Sequence, residues 1–262
     1  MTTLLLHGLG ADRRQSLELF APAVRAVFGE DELMVSPDVR AHGASTAIGD
    51  PADFALDRLA DEVVLETLEA ADAAGRPRGE PVTVMGLSMG AAIALRIALR
   101  GLLPIERAVF VRPAFGDRSL PPNLRPFPVI GEFLRTGGPA AVDRFRETSV
   151  FHAVDAVSPS GGLGLLSQFA APAAAARAIR LVEIPRNRAF DDDAELAGLA
   201  ARGIRSLVIA APRDPVHPLE LGERWAGGLG AAFGLAPARD DGPAAQQTWM
   251  RERIADWLGS GA

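Results

Sequence analysis

Residues Val82-Thr83-Val84-Met85 run directly into Gly86-Leu87-Ser88-Met89-Gly90, and an alanine-rich stretch from Ala91 to Arg100 follows. A short apolar run, a Gly-x-Ser-x-Gly turn and a helical pattern, in that order, leave the chain little freedom. It has to turn sharply from a buried strand into a helix, with the serine at the apex. Glycines flank the apex because side chains there would meet neighbouring backbone. The helix starting just behind Ser88 leaves its first N–H groups without intrahelical partners, so they are available to negative charge developing beside the serine oxygen. The arrangement suits nucleophilic acyl transfer. The competing reading is a glycine-rich turn with an incidental serine.

The rest of the chain repeats the strand-then-helix rhythm. Short apolar runs occur at Leu4-Leu5-Leu6, Leu33-Met34-Val35, Val82 to Met85, Ala108 to Val111 and Ser206 to Ala210, with a weaker one at Ala231 to Leu235. Between them, Leu56, Leu59 and Val63 mark one helix face, Leu221 and Trp225 another, and Met250, Ile254 and Trp257 a third. Buried strands alternating with helices predict an α/β fold: a doubly wound, mostly parallel sheet of about six strands. Ligands of such sheets bind at the carboxyl ends of the strands, which is where Ser88 falls.

The rhythm breaks between residues 113 and 202. This stretch begins proline-rich (Pro121, Pro122, Pro126, Pro128) and carries Phe127, Phe133, Phe145, Phe151 and Phe169. A structureless loop of that length does not suit a compact domain, so an inserted helical lid over 113–202 is expected, on a core formed by 1–112 and 203–262. Its aromatic residues either line a pocket or fasten the lid to the core. Asp191-Asp192-Asp193 reads as a helix N-terminus, where carboxylates are favoured, in preference to a metal site.

Composition narrows the chemistry. The chain has 262 residues, a formal charge of -6 and no cysteine, so thiolate and disulfide chemistry are excluded and a cytoplasmic location is expected. All 27 basic residues are arginine, and tyrosine is absent, which excludes a lysine Schiff base and a tyrosine acid. No basic stripe suggests nucleic acid, no apolar run is long enough for a bilayer, and Met1 to Leu6 reads as a strand in preference to a signal peptide. Neither a glycine-rich dinucleotide motif nor a helical His-x-x-x-His pair is present, so no cofactor or metal is expected.

Three further segments accompany the serine turn: His7-Gly8-Leu9-Gly10 after the first strand, Pro37 to Ser45 (with Asp38, Arg40, His42 and Gly43) after the second, and Asp214-Pro215-Val216-His217-Pro218 after the fifth. Together and in this order, over nearly the whole chain, they resemble the α/β-hydrolase family, in a minimal version. The resemblance implies that Ser88 is the nucleophile, that the N–H groups of Leu9 and Met89 form an oxyanion hole, and that Asp214 holds the acid position. It also implies structural roles for His42 and, in shaping the oxyanion loop, for His7. His152 falls in the lid, where packing or solvation suffices.

The chain departs from the family at the base. The family's histidine follows the last strand, near Asp240-Asp241-Gly242-Pro243, and no histidine follows His217. His217 lies three residues after Asp214 at the active end of the sheet. It is the candidate general base for Ser88, since such triads are defined by geometry and not by chain order. Its orienting acid is Asp214, or else Asp240 or Asp241 in a swap of acid and base between neighbouring strand ends. The position of Asp214 favours the first. A broken triad remains the opposing reading.

The expected function is therefore acyl transfer through an acyl-serine at Ser88 on an ester or thioester, with a small-molecule acyl substrate. Water as acceptor gives an esterase or thioesterase. Another acceptor gives an acyltransferase in a natural-product pathway, fed by an acyl-carrier protein whose phosphopantetheine phosphate could meet Arg13, Arg14, Arg40 or Arg213; for any single one of these, surface solubility is the favoured reading. A non-acylating cyclase or lyase, or an inactive binding protein, are the alternatives from other classes.

Overall fold

A computed structural model of the protein describes residues 1–260. Six strands, β1 (Thr2–Leu6), β2 (Leu33–Val35), β3 (Val82–Leu87), β4 (Ile105–Val111), β5 (Arg205–Ala210) and β6 (Ala232–Leu235), form one all-parallel sheet in the order β2-β1-β3-β4-β5-β6. The order reverses at β1 and β3, so the chain winds first one way and then the other, and helices cover both faces. Among the described residues the α-helices are α1 (Arg13–Phe28), α2 (Leu56–Ala73), α3 (Met89–Arg100), α4 (Pro126–Gly137), α5 (Val142–Arg146), α6 (Ser149–Asp155), α7 (Pro159–Ala170), α8 (Ile179–Glu183), α9 (Asp193–Ala200), α10 (Leu219–Leu229) and α11 (Pro243–Gly259).

The two-residue period of the strands divides the core. Leu5, Met85, Val109, Leu207 and Ile209 point to the face covered by α1 and α11, where Phe20, Ile254 and Trp257 meet them. Leu4, Leu6, Val84, Ala108, Phe110 and Val208 point to the opposite face, under α2, α3 and α10. Every residue of β1 and β3 is buried, as the uninterrupted apolar runs require of strands covered on both sides.

Between β4 and β5 the chain forms a cap of short helices, α4 to α8. Phe145 is its centre, fully buried, with ring centroids of Phe133, Phe151 and Phe169 at 6.2, 5.7 and 5.5 Å. These rings pack on one another, so they hold the cap together; of the cap's phenylalanines only Phe127 reaches the cavity described below. Arg177 and Arg180 fasten the cap to the loop after β2 through the carbonyls of Gly43 and Ala41. The last helix of the 113–202 stretch, α9, packs on α3 and α10 and flanks the sheet. Asp192 caps its N-terminus, accepting from the Glu195 N–H at 3.0 Å.

Candidate active site

The turn from β3 into α3 places Ser88 at φ 56°, ψ -111°, a conformation that costs a residue with a side chain about 1–3 kcal/mol. Two close approaches enforce it. A Cβ on Gly86 would run into the carbonyl of Gly90, and one on Gly90 into the carbonyl of Leu6. The Ser88 N–H is fixed to the Val111 carbonyl at 2.9 Å, tying the turn to the end of β4. The backbone N–H groups of Leu9 and Met89 meet no acceptor among the described residues. Gly8, Leu9 and Ser88 line one cavity of about 200 Å³, at the carboxyl ends of the strands and beneath α7.

His217 reaches this serine from the loop after β5, with Nε2 2.9 Å from Ser88 Oγ. Its Nδ1 lies 3.0 Å from both carboxylate oxygens of Asp214. The loop is wound around that carboxylate, since Oδ1 also accepts the N–H groups of Val216 at 3.2 Å and His217 at 3.1 Å. From the cap, Asn123 Nδ2 donates to the Val216 carbonyl at 2.8 Å and holds the loop from outside. Ser88, His217 and Asp214 thus form a continuous hydrogen-bonded series.

Asp240 and Asp241 lie elsewhere. Asp240 accepts from Ser158 Oγ at 2.6 Å and the Ser160 N–H at 2.7 Å, at the start of α7, and Asp241 pairs with Arg213. Neither carboxylate bonds His217, because both are already committed to the cap or to the neighbouring loop.

Arg112, which the sequence reading passed over, completes the site. It directly follows β4 at φ 48°, its Nε donates to Asp214 Oδ2 at 2.8 Å, and its Nη2 stands 3.0 Å from His217 Nδ1. The signal available for it was its position: the first residue beyond a strand's carboxyl end. Burial alone would raise the Asp214 pKa, but His217 and Arg112 hold the carboxyl far below the usual carboxylate range. Burial also pulls His217 below its ordinary 6.5; Asp214 opposes this, and Arg112 and Arg239 reinforce it. A neutral imidazole facing a serine hydroxyl can accept its proton.

The other histidines are built into the frame. His7 is fully buried; Nδ1 donates to the Gly8 carbonyl at 2.9 Å, and Nε2 accepts the Val39 N–H at 3.1 Å, so one ring pins the loop after β1 to the loop after β2. His42 is also buried, donates to the Arg40 carbonyl at 2.8 Å and packs 5.0 Å from His7. Asp38 accepts the N–H groups of Arg13 and Ala44 and supports the same turn. His152 is exposed on α6. Arg13, Arg14, Arg40 and Arg213 face Asp38, Asp12, Glu62 and Asp241 respectively, and none lines the cavity. Among the described residues no group of three or more acidic or histidine side chains could hold a metal ion, and no helix is long and apolar enough to cross a membrane.

The family model described as the alpha/beta hydrolase family matches residues 3–257. Among solved structures, a thermophilic esterase from Thermogutta terrifontis is similar at 21% identity, covering 99% of this chain and 90% of that one, with a TM-score of 0.67. MenH from S. aureus is similar at 15% identity, 99% and 94% coverage and a TM-score of 0.71. An enol-lactonase from Burkholderia xenovorans LB400 is similar at 21% identity, 98% and 90% coverage and a TM-score of 0.65. A search of curated proteins by sequence finds no match.

Proposed function

The chain belongs to the alpha/beta hydrolase family, and we propose that it hydrolyses a small ester or thioester through an acyl-enzyme at Ser88. The observation that carries this reading is the 2.9 Å contact between His217 Nε2 and Ser88 Oγ, with Asp214 behind the ring at Nδ1. As Oγ attacks the substrate carbonyl carbon, its proton passes to Nε2, and the carbonyl oxygen takes up the negative charge. The free N–H groups of Leu9 and Met89 receive that oxyanion; one such donor is worth about 3–4 kcal/mol of barrier. Collapse breaks the bond to the leaving group, which takes the proton back from His217. Water, deprotonated by the same nitrogen, attacks the acyl-serine and releases the acid. Asp214 holds the Nδ1 proton in place and stabilises the imidazolium that forms in each half.

Water is favoured as acceptor over a carrier-fed acyl transfer because the four arginines that might have met a carrier's phosphate each face a carboxylate instead. The test is intact-mass detection of an acyl adduct from a p-nitrophenyl ester. The adduct should form on the wild type, be absent from Ser88→Ala, and form orders of magnitude more slowly in His217→Ala. No adduct from any of several esters and thioesters would overturn the reading.

A further inference from the structure

Two arginines, Arg112 and Arg239, and one carboxylate, Asp214, line the cavity beside Ser88. Along its wall, Asp214 offsets Arg112, while Asp240 is held by Ser158 and Ser160 and Asp241 by Arg213. Arg239 is left over. It lines the cavity with Ser88 and His217, is half-buried, and makes no ion pair and no side-chain hydrogen bond among the described residues. Proteins place arginine in such settings for the fork of donors it offers to a carboxylate.

A second polar group waits in the same wall. Gln168 of α7 is 7% exposed, and its Oε1 is buried without a hydrogen-bond partner. The other end of the amide, Nε2, is a donor with no hydrogen-bond partner among the described residues. Gly164, one helical turn earlier on the same face of α7, lies under Arg239: a Cβ built there would be 3.8 Å from its Nη1. The guanidinium thus stands over Gly164, and the amide is carried about one helical turn further along α7, where it lies against Gly10.

We propose that Arg239 and Gln168 form a carboxylate-binding subsite, so that the ester taken up at Ser88 carries one negative charge of its own. This rests on the acyl-serine reading for its chemistry, but not for its binding. One guanidinium without an ion-pair partner matches one carboxylate. Burial first and Arg112 second lower the pKa of Arg239, while Asp214 and Asp240 oppose this through space without touching the guanidinium. Arg239 in turn lowers the pKa of His217, so a bound carboxylate would relieve the base of that repulsion.

The test uses monomethyl glutarate, with one carboxylate, and uncharged dimethyl glutarate, titrated calorimetrically into Ser88→Ala. The monoester is expected to bind at least tenfold more tightly, with an advantage that shrinks in salt, is lost in Ser88→Ala/Arg239→Met and is partly restored by lysine at 239. Equal affinity for the two esters, or a preference that survives Arg239→Met, overturns the subsite. On the wild type, the kcat/KM ratio of the two esters should show the same preference, and the acid limb of kcat for the monoester should lie above that of kcat/KM. If the monoester binds through Arg239 but Ser88 is never acylated, the acyl-serine reading fails and the subsite stands. If Ser88 is acylated without preference, the subsite fails alone.

Discussion

Arg112 Nη2 stands 3.0 Å from Nδ1 of His217. A guanidinium has only donors, so a bond there needs the Nδ1 lone pair. The same nitrogen lies 3.0 Å from both oxygens of Asp214, which offers only lone pairs and needs the proton. The two neighbours therefore favour opposite tautomers. With the proton on Nδ1, Nε2 is free to accept from Ser88; with Nδ1 bare, Nε2 carries the proton and cannot serve as base. Arg112 also binds Asp214 Oδ2, so it restrains the acid while it competes with it.

Replacing Arg112 with Met should move the acid limb of kcat/KM to higher pH. The base works only when neutral, so the rate falls as pH drops through the His217 pKa, which the intact site holds below 6.5. Removing Arg112 takes away one of the repulsions that lower it and leaves Asp214 opposed only by burial and Arg239. A pH profile of ester hydrolysis from pH 4 to 9 checks this, and an unmoved limb would show that Arg112 has no hold on the ring.

Asp214→Asn keeps the shape of the loop and removes the charge that fixes the tautomer. The expected loss in kcat is about 10⁴-fold. Arg112 is then unopposed beside Nδ1, so the double variant with Arg112→Met should recover part of that loss. Single-turnover acylation rates of the two variants make the comparison, and a double variant no faster than Asp214→Asn would remove the tautomer argument.

Ser88→Gly should make the protein more stable as it abolishes activity. The serine is held at φ 56°, ψ -111°, where glycine has no Cβ to strain. Against that gain stands the larger backbone entropy that glycine loses on folding. A net stabilisation of about 1 kcal/mol, or a Tm higher by about 2–4 °C, is expected by calorimetry. Gly86→Ala and Gly90→Ala should do the reverse and yield little folded protein, since each new Cβ meets backbone that cannot move aside.

Asp240→Ala should loosen the cap. The carboxylate holds Ser158 Oγ and the Ser160 N–H, which open α7, and those bonds keep its pKa below 3.8. A carboxyl depressed in the folded state stabilises it above the unfolded pKa, and the contribution is lost as pH falls through the lower folded value. The variant should therefore lose about 1 kcal/mol at pH 7, with faster amide exchange over residues 158–170, and the difference from wild type should shrink below pH 3.8. Equal exchange at pH 7 would separate Asp240 from cap docking.

Features coded in a few neighbouring residues were legible from sequence. The strand, glycine turn and helix around Ser88 are one local signal, and the apolar runs place β1 to β6 within two residues, except that β4 begins three residues earlier, at Ile105. His217 was found by elimination among four histidines and by its spacing from Asp214. The choice among Asp214, Asp240 and Asp241 leaned to Asp214 on position but was not closed, because it depends on α7 docking beside the loop after β6 and drawing Asp240 to Ser158. The same holds for the arginines. Whether a guanidinium is spent on a neighbour or left facing a cavity depends on carboxylates distant in sequence, such as Glu62 for Arg40 and Asp214 for Arg112. The lid was visible only as an interruption, since its helices are short and carry no long periodic face.

In the proposed mechanism, acid and base sit three residues apart on one loop, so the proton-handling machinery is a single mechanical part. Asp214 and His217 cannot drift relative to each other when β6 shifts, because neither is carried by it. The segment from β6 onward is relieved of proton transfer and holds instead Arg239, facing the cavity, and Asp240, clasping the cap. Sequence change at Asp240 can alter how the cap is latched, whereas change at Arg239 alters which molecules are admitted and also shifts the base, whose pKa that guanidinium lowers. Latching of the cap and reactivity are thus open to variation separately, while selectivity at Arg239 and the strength of the base move together.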